Sequence, residues 1–160
     1  SVDAMRQVRT AITSGDVQTL KNLTSEKGLS LSISPNINLN TVTYSRAEFD
    51  SDKTELKQIG TGDGTGEPIF ASLTALADYF VENPELVPQV YTNPENFKRA
   101  GTNCISTINE DTAGYEVVQL HYPSELFGDN ELAWRSIFYV FANENEGLKL
   151  RGLALDQWCI

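Results

Sequence analysis

Histidine and cysteine are nearly absent from this chain: His121 stands alone, and Cys104 and Cys159 are the only two thiols. A structural zinc site built on Cys-x-x-Cys pairs is therefore excluded. Positive charge is scarce too. Twelve Lys and Arg face 22 Asp and Glu, for a formal charge of −10. Phosphate backbones and anionic membrane surfaces repel such a protein. Lys98-Arg99 is the nearest thing to a basic cluster, so nucleic acid is not an expected partner. No segment approaches the ~18 consecutive apolar residues of a membrane-crossing helix, and no signal-peptide pattern is present. The chain opens Ser1-Val2-Asp3 without an initiator Met, so an upstream segment that decides the compartment is expected. No Gly-Lys-Ser/Thr phosphate loop, dinucleotide fingerprint or twelve-position calcium loop occurs, so the sequence implies no cofactor and no metal.

What is present fits one globular domain over residues 1–160, with 40% apolar and 21% charged residues. A chain of this size buries roughly 70% of its unfolded surface. Val2, Met5, Val8 and Ile12 recur at helical spacing and predict a helix over residues 2–13. Ser14-Gly15-Asp16 ends it, and Asp16 caps a second, short helix with Val17, Leu20 and Leu23 inward. Leu29, Leu31 and Ile33 alternate with serines, the period of a half-buried strand. Ser45 and Glu48 have the spacing of a capping box. A further helix is expected from Ser72 to about Val81, and the proline-bearing residues 84–103 read as irregular. Strands are then expected over Cys104–Ile108, Tyr115–Tyr122, Leu132–Phe141 and Leu148–Trp158, the last two as a hairpin turning near Asn145. Helices first and antiparallel strands last define an α+β class, with N-terminal helices packed on a C-terminal antiparallel sheet. That element order resembles the cone-shaped nuclear-transport-factor-like and ketosteroid-isomerase-like folds, which implies a curved sheet around a pocket.

The residues alone leave the cysteines open to three readings: two buried thiols, one disulfide, or one reactive thiol. Lys27–Ser32, Asp63–Ile69, Val117–Pro123, Trp134-Arg135-Ser136 and Asp156-Gln157-Trp158 form a set of motifs spread over most of the chain. Together they resemble a family of uncharacterised bacterial exported domains. The family has no established activity and implies none. Its secreted and lipid-anchored members imply an extracytoplasmic location. Here Gln58-Ile59 precedes the glycine loop, where the family carries an aromatic. The cysteines lie outside the family pattern, and their appearance as a pair favours a bridge.

Four groups of residues could carry chemistry. The loop from Gly60 to Pro68 lets backbone approach a ligand, with Asp63 and Glu67 as its acids; equally, it is a turn that needs positive φ. His121, the one side chain that titrates near neutrality when unperturbed, could serve acid–base work or a Cys104–His121 nucleophile, or stand as a hydrogen-bonded structural residue. With a turn near Asn145, Arg135 and Asp156 fall opposite each other and predict a cross-strand ion pair. Trp134, Trp158 and Tyr115 line a pocket or fill the core. Three functions follow: a non-enzymatic domain of an exported protein that binds a small molecule or a protein, an enzyme of hydrolase or isomerase type using His121, Asp156 or Tyr115, or an accessory domain of a larger chain.

Overall fold

A computed structural model describes all residues, Ser1–Ile160. Helix α1 (Val2–Ser14) buries Met5, Val8, Ala11 and Ile12, the face its spacing predicts. Gly15 closes it in the left-handed conformation, φ 68°, which costs glycine nothing. Asp16 then caps α2 (Val17–Leu23), accepting from the Thr19 amide at 3.0 Å. The Ser45/Glu48 capping box is formed, at the start of a single 3₁₀ turn, Arg46–Asp50.

The predicted Leu29–Ser34 strand shortens to β1 (Ser30–Ser32), whose Ser30 is buried rather than solvent-facing. The glycine loop turns a hairpin of β2 (Lys57–Thr61) and β3 (Pro68–Ala71), with Gly64 and Gly66 at positive φ. The helix expected from Ser72 splits into a 3₁₀ turn (Leu73–Ala75) and a short α3 (Ala77–Phe80). Ser72 makes no cap, because its hydroxyl pairs with Thr74 instead. Within the stretch expected to be irregular lies β4 (Gln89–Tyr91). Pro88 stands just before it, which an edge strand tolerates. Cys104–Ile108 is not a strand; its last residue opens α4 (Ile108–Asp111). Strands β5 (Glu116–Tyr122), β6 (Arg135–Glu144) and β7 (Gly147–Gln157) complete the chain.

The main sheet runs β1-β7-β6-β5-β4. It is mixed rather than wholly antiparallel, because β1 pairs with β7 in parallel, Ser30 opposite Gly152. Helices α1 and α2 cover one face over Leu120, Tyr139, Leu153 and their neighbours. The other face packs a second cluster of Val117, Phe138, Val140 and Ala154 beneath Ile37, Leu39 and Ile108. Layers on both faces explain why β5–β7 read as near-continuous apolar runs.

One irregularity positions everything else. The β6–β7 hairpin turns at Asn145-Glu146, as expected, and pairs Phe141 with Leu150; the next pair is Val140 with Gly152. Arg151 is the extra residue of a β-bulge. Its buried guanidinium donates to Gly28 O at 3.3 Å, Ser30 Oγ at 2.8 Å and Leu39 O. The bulge thus pins both the β1 region and the Asn-rich segment 36–40 to β7.

Candidate functional site

Arg151 shifts every later pair by one residue. An unbroken ladder would set Arg135 opposite Asp156, the expected ion pair. Instead Arg135 faces Gln157, and Asp156 faces Ser136. A one-residue slip sends a side chain to the other face of the sheet. Arg135 therefore bonds Glu82 at 2.5 Å and lies over the Phe127 ring. Asp156, fully buried, accepts from Arg99 Nε at 2.6 Å and Nη2 at 3.0 Å.

Beneath the strap formed by residues 97–105 lies a polar row: His121, Ser136 and Asp156 stand side by side on β5, β6 and β7. Gln119 donates Nε2 to Ser136 Oγ at 2.9 Å, which frees the serine proton for His121 Nδ1 at 2.7 Å. The Gln119 amide also clamps the strap, accepting from Lys98 N and donating to Lys98 O. Trp134, buried against the His121 ring, donates its indole N–H to Gly101 O. Arg99 bonds Cys104 O as well as Asp156. Cys104 and Cys159 form a disulfide, Cα atoms 5.9 Å apart, which ties the strap to the end of β7.

The row contains the residue types of a hydrolytic triad but not its geometry. Serine stands in the middle, the carboxylate is spent on Arg99, and Ser136 is fully buried. A triad needs the histidine between an orienting acid and a reachable nucleophile. Burial holds the His121 imidazole below its usual value, with Glu125 pulling the other way. Burial also pushes the Asp156 carboxyl up, against the pull of the Arg99 guanidinium. Tyr115, the residue before β5, is six residues from His121, about 20 Å at strand rise.

The histidine has a testable consequence. Its pKa is lower in the folded than in the unfolded chain, so the unfolded state binds the proton first as pH falls. Its contribution is complete above the unfolded value of about 6.5 and is lost as pH falls toward the folded one. Urea midpoints between pH 7.5 and 5.5 are expected to fall less steeply in His121→Gln than in the unsubstituted protein. The slope difference is at most about 1.4 kcal/mol per pH unit, the limit for one proton. Equal slopes would show that His121 is freely protonated in the fold.

The concave site lies on the other side of the bridge. A cleft of about 270 Å³ opens between three walls: residues 33–36, the glycine turn 61–64, and residues 157–159 with Cys104. The β2–β3 hairpin is carried to this place by Ile33, whose amide bonds Ile59 O. Gly60 meets the Ile33 side chain so closely that a Cβ there would overlap it. Asp63 closes the floor by accepting from the Ile160 amide at 2.9 Å. No protein-family model matches the chain, and no curated protein matches it. The cleft must be read from its own chemistry.

It gathers Asp63, Trp158, Cys104 and Cys159 from the predicted candidates. His121, Arg135, Asp156, Tyr115 and Glu67 line none of it; Glu67 stays in the hairpin turn, its carbonyl bonded to Gly62. The two tryptophans divide, Trp134 to the core and Trp158 to the cleft. Ser136, Gln119 and Arg99 were not foreseen as a cluster, because the row depends on the bulge. Asn36 and Gln157 were missed as cleft residues. The signal for Gln157 was available, since it lies between Asp156 and Trp158.

Proposed function

We propose that this domain is a non-catalytic recognition module whose site is the cleft framed by the glycine hairpin, Trp158 and the disulfide. The observation that carries this reading is the convergence of three distant segments on one cleft lined by Trp158 and the polar side chains of Asn36, Thr61, Asp63 and Gln157. Concave sites with an aromatic surface and a few placed polar groups are where small ligands bind. The bridge and the hairpin hold the walls in place, so little ordering is left for the ligand to drive. The disulfide also fits an oxidising, extracytoplasmic compartment. The bacterial exported family that the sequence resembles points the same way.

An acid–base enzyme built on His121 is the second reading, favoured by its contact with Ser136. Burial of Ser136 and commitment of Asp156 to Arg99 weigh against it. A fragment screen read by amide NMR shifts separates the two. Binders are expected to shift residues 33–36, 61–64 and 157–160, and Trp158→Ala is expected to weaken them at least about tenfold. Shifts confined to the His121 region, or turnover lost in Ser136→Ala, would overturn the recognition reading.

A further inference from the structure

The groups that face the cleft define what it can hold. Trp158 lines it with its indole N–H unbonded within the protein, and Gln157 lines it with its whole amide unbonded. The Thr61 hydroxyl is likewise unspent. Asn36 uses Oδ1 on Thr107 and keeps its Nδ2; Asp63 uses Oδ2 on the Ile160 amide and keeps Oδ1. Gln157, Thr61, Asn36 and Asp63 thus bring both donors and acceptors to a cleft whose one aromatic side chain is Trp158. No Lys or Arg lines the cleft.

Each feature removes a class of ligand. The missing cation and the formal charge of −10 act against phosphates, sulfates and uronates. A quaternary ammonium is recognised by a cage of aromatic faces, and Trp158 is the one aromatic here. A purely apolar ligand would leave the unspent amides, hydroxyl and carboxylate oxygen desolvated without partners. What satisfies all of them is a neutral molecule with an apolar C–H face for the indole and a rim of hydroxyls. Each hydroxyl both donates and accepts, as Gln157, Asn36, Thr61 and Asp63 require.

We infer that the cleft binds a neutral carbohydrate, one pyranose ring stacked on Trp158 with its hydroxyls bonded to Gln157, Asn36, Thr61 and Asp63. This deepens the recognition reading above and rests on it. The volume of about 270 Å³ suits a single ring. Because the cleft is open rather than enclosed, a longer chain could pass through it. A contact of this size predicts dissociation constants of about 0.1–1 mM for a single unit.

The oxidised 160-residue chain is titrated with glucose, galactose, mannose, N-acetylglucosamine and their α- and β-linked oligomers. Glucuronate, glucose 6-phosphate and choline are run alongside. Tryptophan fluorescence and amide NMR shifts are the readouts; Trp134 is buried, so a fluorescence change reports Trp158. At least one neutral sugar is expected to saturate with shifts at residues 61–64 and 157–159. Its charged counterpart is expected to bind about tenfold more weakly or worse. Trp158→Ala abolishes binding, Gln157→Ala weakens it about tenfold, and Trp158→Phe, which keeps an aromatic face, retains part of it. Unfolding midpoints confirm that each variant is folded. If no sugar saturates but choline or another fragment shifts the same residues, the carbohydrate inference falls and the cleft stands. If no probe of any class shifts them, both fall. A sugar that binds with equal strength to Trp158→Ala also overturns the inference.

Discussion

Replacing Cys104 and Cys159 together by serine is expected to lower the thermal midpoint by about 12 °C. The bridge joins residues 55 apart in sequence. In the chain-entropy account, closing a loop of that length removes about 4 kcal/mol of freedom from the unfolded chain. A chain of 160 residues gains roughly 340 cal/mol/K on unfolding near its midpoint, so 4 kcal/mol corresponds to about 12 °C. The loss has a structural side as well. The Thr102 hydroxyl accepts from the Cys159 amide, and the Asn103 amide donates to Cys159 O. Both bonds depend on the tail lying against the strap. Calorimetry of the double variant beside the oxidised protein checks the shift, and a thiol titration of the unreduced, unfolded protein should find no free thiol. A midpoint unchanged within about 2 °C would mean that the strap is held without the bridge.

The second large effect is at Arg99. Asp156 is fully buried, and the Arg99 guanidinium, through Nε and Nη2, is its charged partner. Breaking a buried pair from one side leaves an uncompensated charge and costs about 3–5 kcal/mol. Arg99→Met is expected to lose that much at neutral pH. Adding Asp156→Asn should restore most of it, because the orphaned charge is then gone. The pH dependence identifies the cause. Burial already raises the Asp156 carboxyl, and without Arg99 the opposing pull disappears. A folded pKa above the unfolded value of about 3.9 means that the native state keeps a proton the unfolded state releases. The stability this contributes is full below the unfolded value and is lost as pH rises through the folded one. Arg99→Met should therefore be least harmful near pH 4–5 and most harmful near pH 8. A penalty independent of pH would assign the loss to packing of the arginine stem.

Local signals in the sequence translated directly into structure. The spacing in residues 2–13, the Asp16 cap, the Ser45/Glu48 box and the Asn145 turn each depend on residues close together in the chain. All four are formed. The α+β class followed from their order. What failed was long-range. The period-two pattern over Cys104–Ile108 falls on the end of the strap and the entry to α4, not on a sheet ladder, and periodicity cannot tell these apart. The partners of Arg135 and Asp156 turned on Arg151, a charged residue in an apolar strand, whose bonds to Gly28, Ser30 and Leu39 form only in the folded chain. Of the candidate site, Trp158 and the glycine turn were legible singly. Their meeting at the cleft depends on the hairpin docking at Ile33 and Gly60, a tertiary contact.

The position of the bridge also decides how the domain carries load. Tension applied at residue 160 enters at Cys159, crosses to Cys104 through the covalent bond, and continues along the strap toward the N-terminus. Strands β5, β6 and β7 lie inside the covalent ring, off the covalent path, and load reaches them only through their hydrogen-bonded neighbours β4 and β1. A taut chain of 55 residues spans about 190 Å, and that length stays out of the extension until the bond is reduced. In the oxidised protein the covalent path thus bypasses the three central strands of the sheet, and the cleft wall at residues 157–159 is anchored to a segment that the force passes straight through.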